Sequence, residues 1–129
     1  MLQDAPLHAY IPARDMARAR KFYEDKVGLK PTKQSNKTNG GVVYEFGKGT
    51  AAFLYPTPNA GTSQASQAFW SVIDVDSEIE ALKARGVVFE DYDMPGERSP
   101  AGAITAGGAK AAWFKDSEGN IMALIQDLS

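Results

Sequence analysis

Residues 8–31 read HAYIPARDMARARKFYEDKVGLKP, and this stretch decides the fold. The segment from Leu7 to Ala13 predicts a short strand, after which Asp15 offers a side-chain acceptor for the unbonded amides that open a helix. Met16, Ala19, Tyr23 and Val27 recur at steps of three and four. One stripe therefore packs on a sheet while Arg18, Lys21 and Asp25 face water. Gly28 supplies the stop.

The same order returns downstream. Gln67 to Ile73 predicts a strand, Asp74 to Arg85 a helix with Val75, Ile79 and Leu82 on one face, and Gly86 its stop. Ser77 with Glu80 fits a capping box at the start of that helix. A shift of 59 positions lays His8 on Gln67, Asp15 on Asp74, Met16 on Val75 and Tyr23 on Leu82. Further strands are expected at Pro31 to Gln34, Gly41 to Phe46 and Ala51 to Tyr55, the last two forming a hairpin around Gly47 to Thr50. Others are expected at Val87 to Glu90, Ala111 to Phe114 and Ile121 to Ile125.

The expected fold class is α+β, with two pseudo-symmetric βαβββ modules in one domain spanning 1–129. Module one covers about 5–56, a Pro-, Gly- and Ser-rich linker 57–66, and module two about 67–127. Asp91 to Lys110 is too long for a simple connection. Its Asp93, Glu97, Arg98 and Ser99 suit either closure over a ligand or an inert surface crossing.

Composition narrows the function classes. A chain of 129 residues can bury a core without staples, and its 43% hydrophobic and 23% charged residues are ordinary globular values. A net charge of −2 with scattered Lys and Arg gives no basic stripe for nucleic acid. Without cysteine there are no disulfides, thiolate metal sites or cysteine nucleophiles. The start, Met-Leu-Gln-Asp-Ala-Pro, has no cationic region followed by an apolar one, and no apolar run reaches the ~20 residues of a membrane span. A cytoplasmic protein without membrane partners is expected. Gly47, Lys48 and Gly49 do not form a phosphate loop, because no helix follows them.

Three ordered motifs carry a resemblance. HAYIPARDMARARKFYEDKVGLKP resembles the opening of the vicinal oxygen chelate proteins (glyoxalase, bleomycin resistance protein, dioxygenase), with a strand histidine, a capped helix and an FYxxxLGL-like end. DVDSEIEALKARGV resembles their second helix, and WFKDSEGNIMALIQ their closing hairpin, usually FxDPxGNxxEL. The resemblance implies two βαβββ modules curved into a cup. In metal-dependent members four strands supply ligands to a divalent ion. Matched residue by residue, those ligands fall on His8, on Ala52 or Phe53, on Gln67 and on Ala123. A methyl or a phenyl ring has no electron pair to donate, and Gln67 offers only a neutral carbonyl. No metal and no cofactor are therefore expected.

The expected function is binding or sequestration of an aromatic or apolar organic ligand, with His8, Tyr10, Gln67, Phe69 and Trp113 lining the cup. Tyr10 shares the face of His8 by strand alternation; on the later strand Trp113 is favoured over Phe114 as the cup residue. Aromatic faces suit flat ligands, although any of these rings also suits a core. Trp70 is expected in the core. The alternative is a lyase, isomerase or dioxygenase-type enzyme in which His8 and Glu45 act on a proton or hold an atypical metal. Superfamily members of this size commonly pair, so a homodimer is expected.

Overall fold

The computed structural model describes residues 1–32 and 40–129. Two sheets form, one from each half. Strands β1 (Ala9–Ala13), β2 (Val42–Glu45) and β3 (Ala51–Pro56) are ordered β1-β3-β2, with β1 parallel and β2 antiparallel to β3. Strands β4 (Ser66–Ser71), β5 (Glu97–Arg98), β6 (Ile104–Ala106), β7 (Ala109–Lys115) and β8 (Ile121–Asp127) are ordered β4-β8-β7-β6-β5. β4 runs parallel to β8 while β8, β7, β6 and β5 are antiparallel in turn. Each half thus places its first strand beside its last, as an internal repeat requires.

The helices obey their local chemistry. Asp15 Oδ1 accepts from Arg18 N at 3.0 Å to cap α1 (Met16–Lys21). This helix continues into a wider turn, Phe22–Lys26, where Val27 N donates five residues back to Phe22 O. The wider turn lets the neighbours Phe22 and Tyr23 both face inward. Asp74 caps α2 (Val75–Ala84) by accepting from Ser77 N at 3.2 Å. The capping box expected at Ser77 and Glu80 is therefore not the device used. Ser77 sits three residues inside the cap and donates its amide, because Asp74 already occupies the extended position before the first turn.

Side chains from both sheets and both helices merge into one core, including Ile11, Leu54, Tyr23, Tyr44, Ile79, Phe114 and Met122. Trp70 packs against this core, stacked on Phe114 at 6.3 Å and edge-on to Phe46 at 5.7 Å. Phe114 is fully buried, so Trp113 takes the opposite face of β7.

Three local expectations change. Of the strand expected at Pro31 to Gln34, Pro31 bridges Tyr44 and Thr32 N donates to Val43 O; Lys33 and Gln34 lie outside the described residues. Val87 to Glu90 contributes an isolated bridge from Phe89 to Phe114 rather than a strand. Asp91 to Lys110 is not an irregular crossing: β5 and β6 extend the second sheet, and the turn between them buries Ala101 and Ala103. The Asp76 carboxylate on α2 holds this turn, taking hydrogen bonds from Ser99 Oγ and, at 2.6 Å, Lys110 Nζ. The turn is thereby anchored to the helical side.

The motif DSEGN after β7 fastens the modules together. Glu118 accepts from the amides of Arg14 and Asp15 at 2.9 Å each, and from Arg18 Nε at 2.7 Å and Nη2 at 3.0 Å. Asn120 Nδ2 donates to Pro12 O at 2.8 Å while Asn120 Oδ1 accepts from Gly61 N in the linker. Tyr23 OH donates to Asp116 Oδ2 at 2.6 Å. Gly61 has a φ of +73° and lies so close to Glu118 O that a side chain would collide with it. Burial alone would raise the Glu118 pKa, but the Arg18 guanidinium, the Asp15 amide, Ser117 and the Arg14 amide outweigh it and hold the carboxyl at about 2.

Candidate functional site

The helix-free face of the first sheet carries an open groove of about 530 Å3, lined by His8, Ala9, Tyr10, Val43, Glu45, Ala51, Ala52 and Phe53. Strand alternation sends Ile11, Ala13, Val42, Tyr44, Ala52 and Leu54 toward the helices, and the residues between them along each strand to the open side. Register then builds rows. Tyr10, Phe53 and Val43 lie side by side. One pleat away Glu45 pairs with Ala51, and His8 lies on the other side of Ala51, just before the first paired residue of β1. Ala51 thus floors a bay between an imidazole and a carboxylate.

Beside the bay stands an aromatic cluster. Tyr10 packs on Phe53 at 5.7 Å and edge-on to Tyr55 at 5.1 Å, and Phe53 stacks with Tyr55 at 6.2 Å and 17°. Gly41 explains where the Phe53 ring goes: a Cβ there would fall 2.5 Å from Phe53 Cε1 and 2.6 Å from Cζ. The ring lies over the bare Gly41 backbone, which leaves the space above Ala51 open. Phe53 enters the sequence argument only as a metal-ligand position, and Tyr55 does not enter it. The alternation Ala51, Phe53, Tyr55, in phase with His8 and Tyr10 across the sheet, was the signal for both.

The other expected lining residues lie in the second module. Phe69 pairs with Ala123, and Ala123 with Trp113, so these three share a row that corresponds to Tyr10, Phe53 and Val43. Phe69 is 59% exposed, whereas Trp113 is partly covered by Tyr92 at 5.6 Å. Gln67 departs from simple alternation. A bulge between Ser66 and Ala68 takes it out of the ladder, and its Nε2 donates to Tyr10 O at 2.9 Å, tying β4 to β1. The structure brings His8, Tyr10 and Glu45 together in the groove; Gln67, Phe69 and Trp113 do not line it.

This repeat geometry also separates Ala52 from Phe53. Ala52 is buried on the helical side, while Phe53 stands on the open face at the position related to Ala123. The ligand positions that the resemblance implies then fall on His8, Phe53, Gln67 and Ala123, of which only His8 carries a strong donor. Among the described residues no three His, Asp or Glu side chains converge to hold a cation. The donor set does not fit a divalent ion.

The profile of the Glyoxalase/Bleomycin resistance protein/Dioxygenase superfamily matches residues 5–124. The chain belongs to this superfamily. Comparison with curated proteins gives no match. Solved structures of similar fold include UcmS2, at 17% identity and TM-score 0.73, covering 94% of this chain and 96% of that one. A glyoxalase/bleomycin resistance protein/dioxygenase from Alicyclobacillus acidocaldarius matches at 18% identity and TM-score 0.71, covering 98% of this chain and 93% of that one. TnmS3, an antibiotic binding protein from a Streptomyces species, matches at 22% identity and TM-score 0.65, covering 98% of each chain. At these identities the likeness establishes the superfamily fold. No helix among the described residues is long and apolar enough to cross a membrane.

Proposed function

We propose that this superfamily member binds a flat aromatic or apolar organic molecule in the groove of its first sheet, sequestering it without a metal ion. The observation that carries this reading is the Tyr10, Phe53 and Tyr55 cluster bordering an open groove of about 530 Å3. The volume falls within the range of small-molecule sites. Packed rings offer large rigid contact area without ordering many torsions. A neighbour of the same fold, TnmS3, is described as an antibiotic binding protein, which favours the same class here.

Phe69 and Trp113 form the matching row of the second module and extend the proposed contact surface, while Gln67 positions the wall through Tyr10. The superfamily habit of pairing supports a homodimer, testable by light scattering, and the lack of cysteine favours a cytoplasmic location, testable by fractionation. The enzyme reading draws on one observation, that His8 and Glu45 flank the same bay. Proton transfer between a bound ligand and either group is its content, and turnover lost in both His8→Gln and Glu45→Gln is its signature.

The binding reading is tested by calorimetric and thermal-shift titration with a library of planar aromatics. Saturable binding that Phe53→Ala weakens supports it. Unchanged melting and no heat across the library would refute it.

A further inference from the structure

Resting on that binding reading, we infer that the groove selects aromatic ligands bearing a protonated nitrogen, with the Glu45 carboxylate as the group that recognises the charge. Among the described residues Glu45 is the only formally charged side chain in the lining, and no described Lys or Arg contributes to it. Five other carboxylates have cationic partners: Glu24 with Arg20, Asp76 with Lys110, Glu90 with Lys115, Asp91 with Arg98 and Glu118 with Arg18. The Glu45 side chain makes no ion pair or hydrogen bond with any described residue. Its charge faces the groove uncompensated.

The position of this charge gives it selectivity. Glu45 borders the bay over Ala51, one row from Tyr10 and Phe53. Two residues along a strand span about 7 Å, so a protonated nitrogen over Ala51 reaches the carboxylate while remaining near the aromatic faces that attract cations. A ligand covering Glu45 strips water from it. A protonated nitrogen replaces that water with a charge-assisted hydrogen bond, an uncharged ring system leaves the carboxylate unpaired, and an anion adds repulsion. The affinity order is therefore cation, neutral, anion.

The test titrates three tricyclic probes by calorimetry: proflavine as the cation, acridone as the uncharged analogue and anthraquinone-2-sulfonate as the anion. Proflavine is expected to bind at least about fivefold tighter than acridone at low salt, a preference that narrows at about 0.3 M salt. Glu45→Gln should abolish the preference, weakening proflavine and relieving the unpaired charge beneath acridone, and Glu45→Lys should favour the sulfonate. Acridone binding as tightly as proflavine to the unaltered protein overturns the charge assignment while the binding reading stands. Equal loss of both probes in Glu45→Gln, with the melting temperature retained, overturns it too. Failure of all three probes overturns both readings together.

Discussion

Replacing Glu118 by Gln tests whether the closing motif of the second module holds the first module in place. The Glu118 side chain is fully buried and accepts hydrogen bonds from two backbone amides, both Arg18 nitrogens that face it and Ser117. Its carboxyl is held at about 2, against 4.5 for an ordinary glutamate. A depressed acid contributes stability that is fully present above its unfolded pKa and is lost as pH falls through its folded one. At about pH 7 the difference amounts to about 3 kcal/mol, and at about pH 3.5 to about 2 kcal/mol. Urea unfolding of the unaltered and Glu118→Gln proteins at both pH values measures it. Glu118→Gln should cost about 3 kcal/mol near neutrality, with the gap between the proteins narrowing in acid. A loss under about 1 kcal/mol, or one independent of pH, would refute the clamp.

Phe53→Ala and Tyr10→Ala should each weaken binding of a planar aromatic about fivefold or more by calorimetry, since lost stacking costs about 1 kcal/mol beyond the lost area. Trp70→Ala should instead lower stability by about 3–5 kcal/mol in denaturant, because its ring stacks on the buried Phe114. Gly41→Ala should displace the Phe53 ring and, by meeting Leu54 O at 2.9 Å, strain the strand pairing, lowering both the affinity for flat ligands and the melting temperature in the same titrations. Protein purified without chelators should carry well under one equivalent of divalent metal by mass spectrometry; a stoichiometric ion lost on His8→Ala would contradict the donor argument.

Local chemistry made much of the fold legible. Asp15 and Asp74 cap their helices, and Gly28 and Gly86 follow them, because each signal acts within a few residues. The repeat was legible for the same reason, as two such sets stand 59 positions apart. What escaped depends on distant partners. Glu118 reads as a turn residue, yet its partner Arg18 lies 100 positions away. The β5 and β6 strands lie among Gly and Pro, and their place comes from pairing with β7 and from Asp76. Alternation predicted the open faces of Tyr10, Phe69 and Trp113 but not the bulge that turns Gln67 to Tyr10. Phe53 was missed because its position suggested a metal before it suggested a wall, and Tyr55 because it reads only as the end of a strand.

The proposed ligand site is the open face of the first sheet. Methyl-labelled alanine and valine report on it directly, because Ala51 and Val43 line the groove while Ala101 and Ala103 lie in the buried turn beside α2. On titration with proflavine, the account predicts saturable shifts of the Ala51 and Val43 methyls with Ala101 and Ala103 unmoved. Saturable binding that leaves Ala51 and Val43 unshifted would contradict it.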